Sequence, residues 1–212
     1  MHIPDGFLAA NTWIPAWILS IGGLGFCIKK AQEALKEKLI PLMGVVAAFI
    51  FAAQMLNFPV AGATSGHLLG GVLAVVLLGP YGGAIVIAIV LVIQCLVFQD
   101  GGVTTLGANI FNMSIIGSMG GYYLYNVIRK RIDGDRGILI GTAIAAWLSV
   151  VAASAFCAVE LAISGTSPLH IALPAMALVH MLIGIGEAII SVLVVSFVLK
   201  TRSDLIYNKE EL

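Results

Sequence analysis

The sequence predicts an all-α integral membrane protein with about seven transmembrane helices, and three observations support this. Hydrophobic residues make up 60% of the 212 positions and charged residues 10%, and the mean hydropathy of +1.05 exceeds what a soluble domain can bury. Apolar runs recur at lengths near the roughly 20 residues that cross a bilayer. All the basic residues fall on one side of the resulting arrangement. We therefore treat residues 1–212 as a single membrane domain.

The apolar runs place the spans in chain order. The third is short for a full crossing, and the turn sequence from Gly79 to Gly83 separates it from the fourth, so a hairpin of these two is an alternative. The last is longer than the bilayer requires and contains Pro174, which predicts that its first turns lie outside the hydrocarbon or are kinked there. The predicted spans are 12–28, 39–57, 67–79, 82–98, 107–128, 138–163 and 170–199.

The basic residues predict the orientation, because cytoplasmic loops of membrane proteins collect Lys and Arg. Every basic residue lies between spans one and two, between spans five and six, or after span seven. Seven spans with the N-terminus outside and the C-terminus inside satisfy this pattern, whereas an even number would not. The bundle 12–199 is then followed by a cytoplasmic tail, 200–212. The basic residues are Lys29, Lys30, Lys36, Lys38, Arg129, Lys130, Arg131, Arg136, Lys200, Arg202 and Lys209.

The start of the chain lacks the basic residues that open a cleavable signal, since the first Lys is at position 29. We therefore expect Met1 to be the mature amino terminus of a multi-pass protein of the bacterial plasma membrane, in contact with lipid. The net charge is zero, which gives no reason to propose nucleic acid as a partner. The three cysteines all lie inside predicted spans without ligand-like spacing, so we assign them to packing.

Residues 1–11 precede the first span and form the candidate metal-binding segment. Its Pro4-Asp5-Gly6 sequence favours a turn that folds the terminus back onto the protein. The α-amine of Met1, the amide nitrogen of His2 and Nδ1 of the same imidazole are successive donors along the chain. A metal that displaces the amide proton closes a five-membered and a six-membered chelate ring, so two residues supply three coplanar nitrogens.

A fourth in-plane donor must come from elsewhere in the fold, and His67 is the best candidate. It lies at the outer start of span three, on the same side as the terminus, after a loop containing Gly and Ser residues that permits close approach. Four nitrogens in a plane suit Ni²⁺ or Cu²⁺, with Co²⁺ intermediate, and serve Mg²⁺ or Mn²⁺ poorly. We therefore expect Ni²⁺ as the bound substrate, with Co²⁺ as the alternative.

Several polar residues around this centre are expected to hold the metal-binding loops in place. Asp5 belongs to the turn, and Ser65 to the loop before His67. Thr104, Thr105 and Asn109 lie in an outer loop whose glycine pair lets it fold over the site. The sequence leaves the roles of Glu160, Glu187 and His170 open and assigns His180 to packing.

Three segments together resemble the CbiM/NikM family, and the resemblance extends over essentially the whole chain. They are Met1 to Leu8 (MHIPDGFL), Gly62 to Leu69 (GATSGHLL) and Gly101 to Asn109 (GGVTTLGAN). The resemblance implies the substrate-binding S component of an energy-coupling factor (ECF) transporter for nickel or cobalt. It also implies a six-helix core with an added N-terminal helix. Its metal site carries over to the Met1 amine, the His2 amide and imidazole, and the His67 imidazole.

The resemblance further implies partners, namely a transmembrane T component and a pair of ABC-type ATPases. The sequence has no Gly-x-x-x-x-Gly-Lys-Ser/Thr loop of its own, and we expect a transport subunit that is not an enzyme. Ala48 and Ala52 resemble the AxxxA motif by which S components contact the T component. The same spacing recurs elsewhere in the chain, where intramolecular packing is the usual reason for it.

Two other classes of function compete with this interpretation. A self-sufficient ion-coupled metal permease would use midplane carboxylates and broken helices, and Glu187 beside Gly184 and Gly186 is the one indication of it. An intramembrane hydrolase would need an oriented nucleophile and base, and Ser65 near His67 lacks a group to orient the pair.

Overall fold

The computed structural model of the chain describes residues 1–34 and 39–209. Lys36 and Lys38, which the orientation argument uses, and residues 210–212 of the predicted tail lie outside the described residues. The described part is mostly helical, as the sequence predicts.

Seven α-helices follow one another in the described part of the chain. A π-helix, Phe111–Gly120, joins the fourth to the fifth, so that the helix is continuous from Leu106 to Arg129, in agreement with predicted span five. A 3₁₀ turn, Ser203–Leu205, follows the last helix. The helices are α1 (Ala10–Ala34), α2 (Ile40–Gln54), α3 (Gly71–Phe98), α4 (Leu106–Ile110), α5 (Gly121–Arg129), α6 (Gly134–Ile163) and α7 (Leu169–Thr201).

Helix α3 contains the third and fourth predicted spans and reverses direction between them. Gly79 has φ 75° and ψ 173°, which is not helical. A Cβ atom on Gly83 would lie only 2.9 Å from the Cα atom of Val75, although residues eight apart in a straight helix are separated by about 12 Å. The two halves of α3 therefore run back along each other, and the turn is tighter than the predicted Gly79–Gly83 segment.

Four of the described helices, α1, α3, α6 and α7, are long and apolar enough to cross a membrane, and α2 is a shorter apolar helix. Helix α7 is helical throughout from Leu169 to Thr201, so Pro174 does not break it. The seven-span count and its orientation remain predictions, although the reversal in α3 and the continuous helix from Leu106 to Arg129 are compatible with them.

Helix α3 lies at the centre of the bundle, with nearly every residue from Gly71 to Val76 fully buried. Helices α6 and α7 pack closely, because Gly184 lets the backbone of Trp147 approach and the Trp147 indole donates a hydrogen bond of 3.0 Å to the Met181 carbonyl. The opposite face of α7 is apolar and exposed, as in a multi-pass membrane protein. This face includes Leu178, Leu182, Ile185, Ile189, Leu193 and Phe197.

A two-residue antiparallel ladder is the small departure from an all-α fold. It pairs β1 (Phe58–Pro59) with β2 (Ser65–Gly66). The ladder holds the loop between α2 and α3 against the N-terminal segment, so that residues 65–67 reach the site described next.

Candidate metal centre

The N-terminal segment folds back onto the bundle, as its Pro-Asp-Gly sequence predicts. The Phe7 amide donates a hydrogen bond of 3.3 Å to the Pro4 carbonyl. Gly6 supplies the positive φ of 82° that this turn requires. The side chains of Met1 and Ile3 are completely buried as a result. The terminus is therefore an internal part of the structure.

Two adjacent backbone nitrogens point at one hydroxyl group. The Met1 amine donates to the carbonyl oxygen and to Oγ of Ser65, the latter at 2.9 Å, and the His2 amide donates to the same Oγ at 3.1 Å. A metal chelated by both nitrogens would take the lone pair of the amine and replace the proton of the His2 amide, which is the proton that points at Ser65 Oγ. The Ser65 hydroxyl therefore lies on the side of the His2 amide where a metal would be bound.

The two imidazoles stack beside these nitrogens, with ring centroids 4.4 Å apart and planes inclined by 29°. His67 Nδ1 donates to the Leu68 carbonyl at 2.7 Å, which leaves the lone pair on Nε2. In the part of the chain that the structure describes, His67 Nε2 and His2 Nε2 are buried without a hydrogen-bond partner. Buried polar atoms without a partner are uncommon and indicate a ligand site or strain.

Within the described ranges, no group of three or more His, Cys, Asp or Glu side chains lies close enough to hold a metal. The donor set assembled here is of another kind, because two of its nitrogens belong to the backbone. A search for side-chain clusters alone would therefore miss this site.

The protonation states suit a metal. Burial lowers the pKa of the Met1 amine from 8.0 to about 5. Burial, followed by the charge of the terminal amine, lowers the pKa of His2 and of His67 well below 6.5. All three groups are therefore unprotonated at neutral pH, which is the state that binds a metal.

Polar groups around α4 hold the backbone of Ile3. Asn109 accepts the Ile3 amide proton at 2.8 Å and donates to the Ile3 carbonyl at 3.2 Å. The Thr105 hydroxyl and the Gly102 amide donate to the same carbonyl, at 2.5 Å and 2.9 Å. Thr105 and Asn109 thus hydrogen-bond the N-terminal segment, and Asn109 lies in helix α4 and not in a loop.

Asp5 fixes the other side of the segment. Its carboxylate accepts hydrogen bonds from the amide and hydroxyl of Thr104, at 2.8 Å and 2.5 Å, and from the Val103 amide at 3.1 Å. The hydrogen bond from the Thr104 hydroxyl is the main reason that the pKa of Asp5 is lowered. Gly102 is required here, because a Cβ on it would lie 2.2 Å from the Asp5 nitrogen.

The loop after His67 is held by two buried residues for which the sequence suggests no such role. Glu187 accepts hydrogen bonds from the Leu69 and Gly70 amides at 2.5 Å and 2.9 Å. Gln54 donates to the Leu69 carbonyl at 2.7 Å. The sequence leaves the role of Glu187 open, and in the structure its partners are backbone amides two and three residues beyond His67.

Asp100 is a further residue that sequence reasoning missed. Its Oδ2 lies 3.7 Å from His2 Nε2 and accepts a hydrogen bond of 2.7 Å from Asn57 Nδ2. Burial raises the pKa of this carboxyl group. Its position directly before the Gly101-Gly102 pair, which lies against the N-terminal segment, is the sequence signal that could have found it.

The remaining candidates lie apart from this cluster or serve packing. Glu160 is largely buried and accepts a hydrogen bond of 2.5 Å from Asn112. His180 is fully buried, and its Nδ1 donates to the Met176 carbonyl at 2.7 Å. His170 is exposed at the start of α7, and Ala48 and Ala52 are exposed on α2.

The family model CbiM, described as the cobalt uptake substrate-specific transmembrane region, matches residues 2–205. The chain belongs to the CbiM family. This confirms the resemblance inferred from the three motifs. Membership identifies the chain with nickel and cobalt transport proteins, which is consistent with a protein that is not an enzyme.

Two relatives and one solved structure place the chain within the CbiM family. A protein of Archaeoglobus fulgidus, provisionally named the fused nickel transport protein NikMN, is 45% identical over 99% of this chain and 69% of its own length. A provisionally named metal transport protein of Methanocaldococcus jannaschii is 36% identical over 100% of this chain and 97% of its own. The crystal structure of a truncated transition metal transporter matches with a TM-score of 0.88 and 33% identity, over 94% of this chain and 99% of that one.

Proposed function

We propose that this chain captures Ni²⁺, with Co²⁺ as the alternative, at the extracytoplasmic face of the bacterial plasma membrane. It acts as the substrate-specific subunit of an ATP-driven ECF uptake transporter. The observation that carries the proposal is the convergence of the Met1 amine and the His2 amide on Ser65, beside two stacked imidazoles of which His67 leaves its Nε2 buried without a partner among the described residues.

The proposed ligands are the Met1 amine, the His2 amide nitrogen and Nδ1, and His67 Nε2. Metal binding would release the amide proton of His2 to water and end the hydrogen bond of that amide to Ser65, while the amine would bind through its lone pair and keep its two protons. The lost hydrogen bond is worth about 1 kcal/mol, whereas a structural metal site of comparable ligand number supplies on the order of 10 kcal/mol. The hydrogen bonds to Ser65 therefore hold the donors in place without preventing metal binding.

The choice between the two metals follows from the donor set. The amidate and three neutral nitrogens in one plane favour a low-spin Ni²⁺ centre, and Co²⁺ more readily accepts further ligands. The family description names cobalt, and the Archaeoglobus relative is named for nickel. Ni²⁺ is accordingly the first metal to test.

The outer location is supported by the opposite placement of the site and the basic residues. The proposed ligands lie at the end of the bundle where α7 begins, and Lys200 and Arg202 lie at the other end of α7. With the positive side inside, the site faces outward. Ala48 and Ala52 lie on one exposed face of α2 and are proposed to contact the T component, whose ATPase partners supply the energy.

The proposal makes the free amine a ligand, and this gives a direct experiment. Two Ala residues added before Met1 convert the amine to an amide and should abolish nickel binding measured by calorimetry; two are used because a single added residue would place the imidazole third in the chain, where amine, two amides and Nδ1 form a new planar set. The matched control carries the same two Ala residues after Leu212 and should bind as the original chain does. Unchanged affinity in the N-terminally extended protein would refute the site.

The dependence on partners needs a separate measurement. Uptake of Ni²⁺ by cells that express this chain alone should be far below uptake with the T component and ATPases present. Strong, proton-dependent uptake by the chain alone would favour the ion-coupled permease. The residue that suggested a permease, Glu187, binds two backbone amides and so supports the His67 loop.

A further inference from the structure

We propose that Asp100 is a positioning residue of the metal centre. It accepts a hydrogen bond from the Nε2 proton of His2 and so keeps Nδ1 of the same ring directed at the metal. This inference rests on the proposed function, because it assigns a role to the outer side of a ligand in the proposed site.

The geometry brings one carboxylate to the one ring nitrogen that the chelate leaves unused. Asp100 Oδ2 and His2 Nε2 are 3.7 Å apart, which is too long for a hydrogen bond by about 0.7 Å. His2 Nε2 is buried, and the described part of the chain offers it no hydrogen-bond partner at shorter range. A small rotation of the imidazole toward the carboxylate gives His2 Nε2 a partner and Asp100 a second one beside Asn57.

The imidazole has one proton when it is neutral, on either Nδ1 or Nε2. Chelation with the His2 amide requires the lone pair on Nδ1, so the proton must be on Nε2, where it faces Asp100. An acceptor at that position favours the required tautomer before the metal arrives. A hydrogen bond to a carboxylate also makes the imidazole a stronger donor once the metal is bound.

The charges agree with this role. A divalent metal bound to one amidate leaves a net charge of about +1 in a site whose donors are buried. Asp100 provides a negative charge beside the ligand, without occupying a position on the metal. Asp5, the other carboxylate of the N-terminal region, is already engaged by Thr104 and Val103.

Asp100 is itself held in place. Asn57, which precedes β1, donates a hydrogen bond of 2.7 Å to the same carboxylate oxygen that faces His2. The side chain of Asp100 remains 18% exposed, whereas that of His2 is 2% exposed. The carboxylate therefore lies closer to water than the imidazole that it faces.

The test compares Asp100→Ala and Asp100→Asn in the full chain, with Asp133→Asn as the control because Asp133 is exposed at the start of α6. Nickel affinity is measured by calorimetry, and the absorption spectrum is recorded at saturating nickel. Asp100→Ala should weaken binding by about 10- to 100-fold, as loss of an outer partner of a metal-bound histidine does. The d–d band should move to longer wavelength, because the imidazole becomes a weaker donor.

Asp100→Asn keeps an acceptor oxygen without the charge, so its loss of affinity and its spectral shift should both be smaller than those of Asp100→Ala. If Asp100→Ala does not fold, Asp100→Asn decides on the same two measurements. Wild-type affinity and spectrum in the Asn and Ala variants, or weaker binding with an unshifted band, would overturn the positioning role. A failure of the unsubstituted chain to bind nickel would instead overturn the proposed function.

Discussion

The two ends of the described chain both fold back onto the bundle, but they are held by different chemistry. At the end proposed to face outward, called the outer end below, the N-terminal segment is fixed by hydrogen bonds with Asn109, Thr105 and Thr104, and it brings donor nitrogens together. At the opposite end, called the inner end, Tyr207 packs against the turn at Gly79, and its amide donates a hydrogen bond of 3.0 Å to the Val76 carbonyl.

The inner contact consists of packing and ordinary hydrogen bonds. Arg129 lies 5.4 Å from the centre of the Tyr125 ring and donates to Asn126 at 3.0 Å, and Tyr207 closes the turn of α3. The outer contact positions nitrogens of Met1, His2 and His67 without satisfying all of them. Among the described residues, buried polar atoms without a partner occur at both ends, at the Tyr125 hydroxyl and at Nε2 of His2 and His67, but only the outer end places them beside further donor nitrogens.

The largest effect on nickel affinity should come from His67→Ala, which removes one of the four proposed ligands. We expect a loss of more than about 100-fold, beyond what loss of an outer partner causes. His170→Ala, at an exposed histidine of the same outer end, should change affinity little. Calorimetry on both variants checks this, and a similar loss in the two would contradict the assigned fourth ligand.

Gly102→Ala tests whether the outer end depends on close backbone contact. The added Cβ would lie 2.2 Å from the Asp5 nitrogen and would push the N-terminal segment away from Ser65. Nickel affinity should fall by about tenfold or more, in line with displaced outer support of a metal site. Gly186→Ala is the control, because a Cβ there has no neighbour within 4 Å among the described residues. Equal affinities in the two variants would show that this contact does not position the ligands.

The pH dependence of binding tests the buried amine. Its pKa of about 5 means that above this pH the amine is already free, so binding releases chiefly the His2 amide proton. Affinity should fall about tenfold for each unit of pH between about pH 8 and pH 6, and more steeply near pH 5 as the amine becomes protonated. If the amine were exposed, with a pKa near 8, nickel affinity would instead fall about a hundredfold for each unit of pH over that range. Calorimetry across this range distinguishes the two.

The smallest effect on affinity should come from the inner end. Gly79→Ala places a side chain at φ 75° and within 2.6 Å of the Tyr207 ring. We expect a cost of about 1–3 kcal/mol in stability from the backbone strain alone. The midpoint of thermal unfolding should fall while nickel affinity stays within about twofold, since Gly79 lies at the other end of the bundle. A large change in affinity would mean that the two ends are coupled.

Much of the fold was predictable because membrane constraints act on sequence directly. The positions of α1, α6 and α7 follow from apolar length, and the turn near Gly79 from its Gly-Pro sequence. The finer features depended on packing. Helix α7 continues through Pro174, and Asn109 lies within the helix that agrees with span 107–128, although the same residue was also assigned to an outer loop.

For the site, the sequence by itself predicts the three N-terminal donors. The amine of Met1 and the amide and Nδ1 of His2 are spaced by covalent bonds, so their chelate rings do not depend on the fold. It also indicated His67, through its place at the outer start of a span. The three motifs around Met1, His67 and Asn109 also predicted that the chain belongs to the CbiM family, and the match of the family model confirms this.

Only the tertiary structure decided which groups surround those donors. Asp100 beside His2, Ser65 on both backbone nitrogens, and Glu187 on the loop after His67 all join residues that are far apart in the chain. No periodicity or spacing encodes such pairs, because they arise from how the helices pack and where the loops between them meet. The burial that leaves the amine and imidazoles unprotonated has the same origin.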